Sequence, residues 1–502
     1  MKKVFKIFNY FLILFGILFT LIASQNHSGN IYIYILFSLV INSLFIYTLN
    51  TKSLFFEIFM ATFIWLGFWF KYTFSLIYLE GIIYDSGPIK NMINIDKAIL
   101  VSIFAILSIF FSFFIRKKFF EEKNNIIKDQ SFFEKIYLQN KKKIIFIFIS
   151  VFCIIALLNF NLNIYQKGFI YKHEYSFLVS NIIKWMLLFG LTTFSCFLIY
   201  TEILRIRKIS ILLITVIFFE MFLSYSSMLS RALIMNLSAI TFSFSKYLDL
   251  IKNKKNFFLI ILTLIMLMFL GNNYFSNYIR INYAQEIGLD IKIKENQTKN
   301  LSSKAGSLSK EKEINIIPQY KVSNNPNVRP DPVNMSAFVI INRWSGIDSM
   351  IAVVSSSKLG FDLFFKSLKE KKIINNKTFY ETTFNVDSDG GKEVMIGNNR
   401  ILKGNTLPGI ISFFFYTGNF YFLFISIFVL MLIICLFEIY CKKLTNNNMI
   451  FASFISFIIT FRLFNFGYAP SDSYLFIISI FLSVLFIYLL STFKTPLFGK
   501  RK

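Results

Sequence analysis

Cysteine is scarce in this sequence, four in 502 residues, and none lies in its one long polar stretch. Cys153, Cys196, Cys435 and Cys441 fall inside apolar runs or at their basic ends, so neither a disulfide framework nor a cysteine-based metal site is expected. Acidic residues are also few, 27 against 53 Lys and Arg, which gives a formal charge of +26. An excess of that size raises nucleic acid as a partner, but the placement of the cations argues against it. Lys2, Lys3 and Lys6, Lys52, the stretch Arg116 to Lys143, Arg205 to Lys208, Lys252 to Lys255, Lys442 and Lys443, and Lys500 to Lys502 fall on alternate connections between apolar runs. That is the distribution the positive-inside rule gives to cytoplasmic loops. The first connection on the other side, Ser24 to Asn30, holds no carboxylate, which counts against a metal-dependent lipid-phosphate-sugar transferase. Asn385 to Gly390 has the alternating oxygen side chains of a calcium loop, but Ile396 stands where the closing acid belongs, so a polar turn is expected.

What the chain has in abundance is hydrocarbon: 55% of residues are hydrophobic and the mean hydropathy is +0.59. Apolar runs begin near Val4, Ile31, Leu54, Ala98, Ile144, Val179, Ile209, Ala232, Phe257, Phe420, Met449 and Tyr474. Each is about 17–25 residues, enough to cross a bilayer, which gives about twelve spans. The first run has too long an apolar core for a signal peptide and is counted as a span. The expected fold is therefore all-α, a polytopic transmembrane helical bundle with both termini cytoplasmic. Residues 1–271 carry nine spans, 272–406 form one large periplasmic loop with amphipathic helices, and 407–502 carry an interfacial or re-entrant segment and three more spans.

Ionisable groups within spans are costly in hydrocarbon and mark function or helix-locking pairs. Tracing each span places Lys71, Lys184, Glu220, Arg231 and Arg462 in its outer half, a cationic layer with one carboxylate in it. Glu220 has a structural alternative as the partner of Arg231 or Arg462; Lys71 and Lys184 have one as snorkelling side chains. Arg231 offers a fixed fork suited to phosphate oxygens. Within the loop, Arg280 sits among apolar and aromatic neighbours, and Asn296 to Val333 reads as flexible surface. From Phe338, apolar residues Ile341, Trp344, Ile347, Ile351 and Val354 recur at helical spacing, which predicts an amphipathic helix on a membrane or protein surface. Arg343 and Gly346 share a neighbourhood there, and the missing side chain should leave room beside the guanidinium for a ligand. Asp348 and His173 are candidate proton acceptors, each weighed against an ordinary surface role. Leu407-Pro408-Gly409 and Tyr416-Thr417-Gly418 follow, and Pro408 to Tyr440 is longer than one span, so a short extra helix should precede the tenth run.

The architecture, with the strings Trp65-Leu66-Gly67-Phe68-Trp69-Phe70-Lys71, Ser230-Arg231, Arg343-Trp344-Ser345-Gly346-Ile347-Asp348, Leu407-Pro408-Gly409 with Tyr416 and Gly418, and Arg462 near Gly467, resembles bacterial O-antigen polymerases of the Wzy type. The resemblance implies a multi-pass inner-membrane glycosyltransferase of lipopolysaccharide or capsule biosynthesis. Such an enzyme joins undecaprenyl-diphosphate-linked oligosaccharide repeat units at the periplasmic face, without a metal or cofactor. It further implies membrane lipid and a chain-length regulator as partners, with Arg231, Arg280 and Arg343 holding the donor diphosphate. Asp348 and Glu220 complete the expected catalytic set, with Arg462, Lys71, Lys184, His173 and Tyr416 binding substrate. An O-antigen ligase and a polysaccharide flippase stay open as alternatives; the long loop and outer arginines favour an enzyme over a carrier.

Overall fold

The computed structural model describes residues 2–49, 52–78, 81, 93–120, 130–166, 169–171, 175–207, 209–230, 233–244, 254–285, 346–369, 378–384, 386, 394–396, 400–402, 407–466 and 470–493. Arg231, Arg343, Trp344, His173, the Asn296 to Val333 stretch and the calcium-like turn, Val386 excepted, lie outside the described residues. So does the side chain of Arg280.

In hydrocarbon every backbone N–H and C=O must be satisfied within the chain, and the apolar runs accordingly form helices. In order these are α1 (Lys2–Ser24), α2 (Ile31–Thr48), α3 (Phe55–Tyr78), α4 (Ile93–Phe119), the short α5 (Phe132–Gln139), α6 (Lys141–Leu162), α7 (Phe177–Ile206), α8 (Ile211–Ser227), α9 (Leu233–Phe244) and α10 (Lys254–Gln285). The short α11 (Ile347–Val354), α12 (Phe361–Leu368), α13 (Phe379–Phe384) and α14 (Gly409–Phe414) follow, then α15 (Phe420–Leu444), α16 (Met449–Phe464) and α17 (Pro470–Thr492). Seven helices, α2, α3, α4, α6, α7, α15 and α17, are long and apolar enough to cross a membrane, consistent with a multi-pass membrane protein. Tyr10–Ser24, Ile211–Ser227, Ile261–Ser276 and Met449–Phe464 are shorter apolar helical stretches. One small addition to the helical fold is a three-stranded antiparallel ribbon, β1 (Phe169–Tyr171), β2 (Val394–Ile396) and β3 (Arg400–Leu402), in the order β1-β3-β2. Phe169 and Val394 both register with Leu402, tying the connection after α6 to the end of the long polar stretch.

The centre of the bundle is α4, which α2, α11 and α15 all pack against. Its small residues let neighbours approach: Ala98, Ala105, Ser102 and Ser112 are fully buried, and Ser108 Oγ donates to the Phe424 carbonyl of α15 at 2.6 Å. At the end of the bundle where the basic connections fall, buried carboxylates lock the helices together. Glu57 of α3 accepts Arg116 Nε of α4 at 2.7 Å. Glu438 of α15 pairs with Lys442 at 2.9 Å and accepts the backbone N–H groups of Phe55 and Phe56, at 3.0 and 2.8 Å, where the α3 dipole favours negative charge. Glu202 binds Lys141 and accepts Tyr137 Oη, and Glu134 pairs with Arg205 at 2.8 Å. Each of these four carboxylates meets a cation, as burial of charge demands.

At the opposite end, the described part of the surface helix read over Phe338 to Val354 departs from that reading; Phe338 to Ser345 lie outside the described residues. All eight residues of α11 are buried, and the helix is wedged among α4, the middle of α3 and α14. It is not a surface element: its polar groups are satisfied inside the protein, so no face of it needs water.

Candidate functional site

Two of the sequence candidates meet at this wedge. The middle of α3, Trp65–Phe70, winds as a π-helix, the kind of local bulge that often marks a functional position. Gly67 lies in that turn, and Gly346, at the start of α11, is seated directly on it. A Cβ at Gly346 would stand 2.2 Å from the Gly67 carbonyl oxygen, so the two backbones touch where any side chain would separate them. Gly67 thus occupies the place a Gly346 side chain would take, while Arg343, beside whose guanidinium room for a ligand was expected, lies outside the described residues. Lys71, four residues beyond Gly67 and on the same helix face, reaches Asp348 Oδ1 with its Nζ at 3.2 Å. The same carboxylate oxygen accepts the Gly346 backbone N–H at 2.9 Å. The two side chains are 4% and 7% exposed, dry enough that neither charge is well tolerated without the other.

Further bonds fix the surroundings. Ser349 Oγ donates to the Gly346 carbonyl at 2.8 Å and lies 3.1 Å from Ser412 Oγ, joining α11 to α14. Gly409, with φ of +72°, bonds its N–H to the Phe466 carbonyl at 3.0 Å, docking the Leu407-Pro408-Gly409 turn on the end of α16. Between these parts is a small, largely apolar cleft, with room for little more than a single water, lined by Phe68, Gly346, Pro408, Gly409, Leu463 and Phe464 among others. Its described lining carries no charged side chain.

The other candidates are spread around this end. Arg462 directly precedes the cleft residue Leu463, and its guanidinium carbon sits 5.4 Å from the Phe476 ring of α17. Lys184 stands over the Tyr165 ring at 5.1 Å. Tyr416 is 1% exposed among the rings of Phe379, Phe384 and Phe413. Glu220 is fully buried; Oε1 accepts Ser224 Oγ at 3.0 Å, Oε2 has no hydrogen-bond partner, and no cation pairs with it among the described residues. The helix-locking pair with Arg462 is thus not formed. The turn before Arg231 is held firmly: Ser230 N–H donates to the Tyr225 carbonyl at 2.9 Å, and its own carbonyl accepts Asn272 Nδ2 at 2.8 Å.

Sequence reading missed a second polar cluster at this end. The side chain of His27, in the connection after α1, is fully buried; Nδ1 is 2.9 Å from Tyr72 Oη and Nε2 is 3.4 Å from Asp96 Oδ1. Asp96 also accepts the Asn30 backbone N–H, at 3.0 and 2.9 Å through its two oxygens. The available signal was the coincidence of His27, one of two histidines, in the connection after α1 with Asp96 in the first turn of α4. Burial holds His27 below the ordinary imidazole range and outweighs the opposing pull of Asp96. With the folded value depressed, its contribution to stability is complete above the ordinary range and is lost as pH falls through the folded value. Melting of the purified protein between pH 7.5 and 5 should show that loss, and His27→Gln should flatten it.

Compared with family models, with curated proteins and with solved structures, the chain matches none of them.

Proposed function

We propose that this chain polymerises lipid-linked oligosaccharide repeat units, transferring a growing glycan from a polyprenyl diphosphate to a hydroxyl of an incoming unit. In this reading about twelve spans cross a bacterial inner membrane with both termini cytoplasmic, and the long polar stretch is periplasmic. The supporting observation is the buried Lys71–Asp348 pair, seated on a glycine-to-glycine contact beside an apolar cleft.

That arrangement suits the chemistry. Loss of a lipid diphosphate develops negative charge, and preplaced cations in a dry site stabilise it more than they stabilise the ground state. Arg231, Arg280 and Arg343 take the diphosphate, together with Lys71. An arriving diphosphate competes with Asp348 for Lys71. As the ammonium turns to phosphate oxygen, the Asp348 carboxylate is released to accept the proton of the attacking hydroxyl. The new C–O bond forms at the anomeric carbon while the bond to the diphosphate breaks, and the diphosphate leaves carrying the electron pair.

The test is a gel of surface glycans. Arg343→Ala and Arg231→Ala should each reduce a polymer ladder to single repeat units at unchanged protein level; a wild-type ladder from both refutes the assignment. Deletion of the gene separates the alternatives. Loss of a polymerase leaves single units on the acceptor, loss of a ligase leaves a bare acceptor with lipid-linked polymer, and loss of a flippase leaves no glycan at the surface.

A further inference from the structure

Helix α12 has three distinct sides. Residues advance about 100° along a helix, which sorts its side chains into arcs. Leu363, Phe364 and Ser367 form a buried arc. Phe361, Phe365 and Leu368, spaced four and three apart, form a neighbouring arc that is 46%, 54% and 45% exposed. Asp362, Lys366 and Lys369 form the third, exposed and charged. The bare apolar arc thus lies between the protein and the charges.

Its position says what covers it. The rings of Phe361 and Phe364 stand 5.4 and 5.2 Å from Phe422, in the first turn of α15. The Gly360 N–H donates to the Tyr416 carbonyl at 2.9 Å, pinning the start of α12 to the same corner. From that corner α15 runs away as a span whose outward stripe, Tyr421, Ile425, Val429 and Ile433, is 82%, 60%, 46% and 56% exposed. An apolar stripe of that length on a helix able to cross a bilayer faces lipid. The exposed arc of α12 sits where this stripe begins.

We propose that α12 is a membrane-interface helix: Phe361, Phe365 and Leu368 enter the lipid leaflet at this end of the bundle, and Lys366 and Lys369 meet anionic headgroups. Charge supports that partner, since the exposed ionisable groups from 357 to 369 are Lys358, Lys366 and Lys369 against Asp362 alone. A helix with a strong apolar face and a basic flank lies in the plane of the interface, held by both terms together. Helix α12 anchors the chain leaving α11, so the leaflet edge and the buried wedge are linked through one short connection. The inference needs a membrane and no particular reaction, so it stands or falls separately from the proposed polymerase.

Cysteines placed singly at 361, 362, 365, 366, 368 and 369, in a full-length chain with its native cysteines replaced, would carry nitroxide labels in vesicles of phosphatidylethanolamine and phosphatidylglycerol. These positions are exposed, so the labels do not invade the core. Accessibility to oxygen relative to a water-soluble nickel chelate should be several-fold higher at 361, 365 and 368 than at 362, 366 and 369. Equal ratios at 365 and 366 would put the helix in water and overturn the proposal, as would a label at 365 that neither reagent reaches, because protein would then cover the face. Replacing phosphatidylglycerol by phosphatidylcholine should lower the ratio at 365; an unchanged ratio removes the anionic headgroup from the assignment.

Discussion

A Gly346→Ala chain should melt measurably earlier than the wild type and, on the proposed polymerase reading, lose its polymer ladder. The added methyl would be placed 2.2 Å from the Gly67 carbonyl oxygen and 2.5 Å from its carbon. Overpacking a well-filled interior ordinarily costs about 1–3 kcal/mol, as side chains leave their rotamers to make room. Here the obstacle is backbone within a π turn, which has no rotamer to change, so the upper part of that range is expected. Gly360→Ala is the matched control. Nothing lies within 4 Å of a Cβ there, and its effect should stay within about 0.5 kcal/mol. If the two alanine substitutions behave alike, the close contact at the wedge is wrong.

The second large effect concerns charge. Lys71→Met leaves the Asp348 carboxylate buried without its cation, and breaking a buried pair from one side costs about 3–5 kcal/mol. Adding Asp348→Asn removes the stranded charge while keeping an oxygen for the Gly346 N–H, so the double variant should recover most of the lost stability. Its glycan ladder should stay collapsed, because neither the phosphate partner nor the proton acceptor returns. A double variant that regains both melting temperature and ladder would make the pair a fastener only, and the mechanism would fail with it.

Much of the helical framework was legible because a bilayer imposes one strong rule. Runs read from Ile31, Phe420 and Met449 are helices starting at those residues, and the surplus length between Pro408 and Tyr440 accommodates α14. The loop end was harder to read. Ile347, Ile351 and Val354 look like one apolar stripe, but Met350, Ala352 and Val353 extend it over most of the circumference, and the two polar residues, Asp348 and Ser349, find partners inside the protein. That reading needed the whole circumference, and Asp348 obscured it because its partner, Lys71, is remote in sequence. Contacts such as Gly67 on Gly346, or His27 beside Asp96, carry no local periodicity. The π turn over Trp65–Phe70 has no composition that separates it from ordinary helix.

The seating of α11 also constrains how the protein is made. It packs on α3 and α4, which are synthesised early, and on α14, which is synthesised late. Chains emerge from the ribosome N-terminus first, so α3 and α4 are made while the berth for Ile347–Val354 is still vacant. A chain that ends before this point leaves uncovered the faces of α3 and α4 on which Ile347–Val354 is seated in the complete fold.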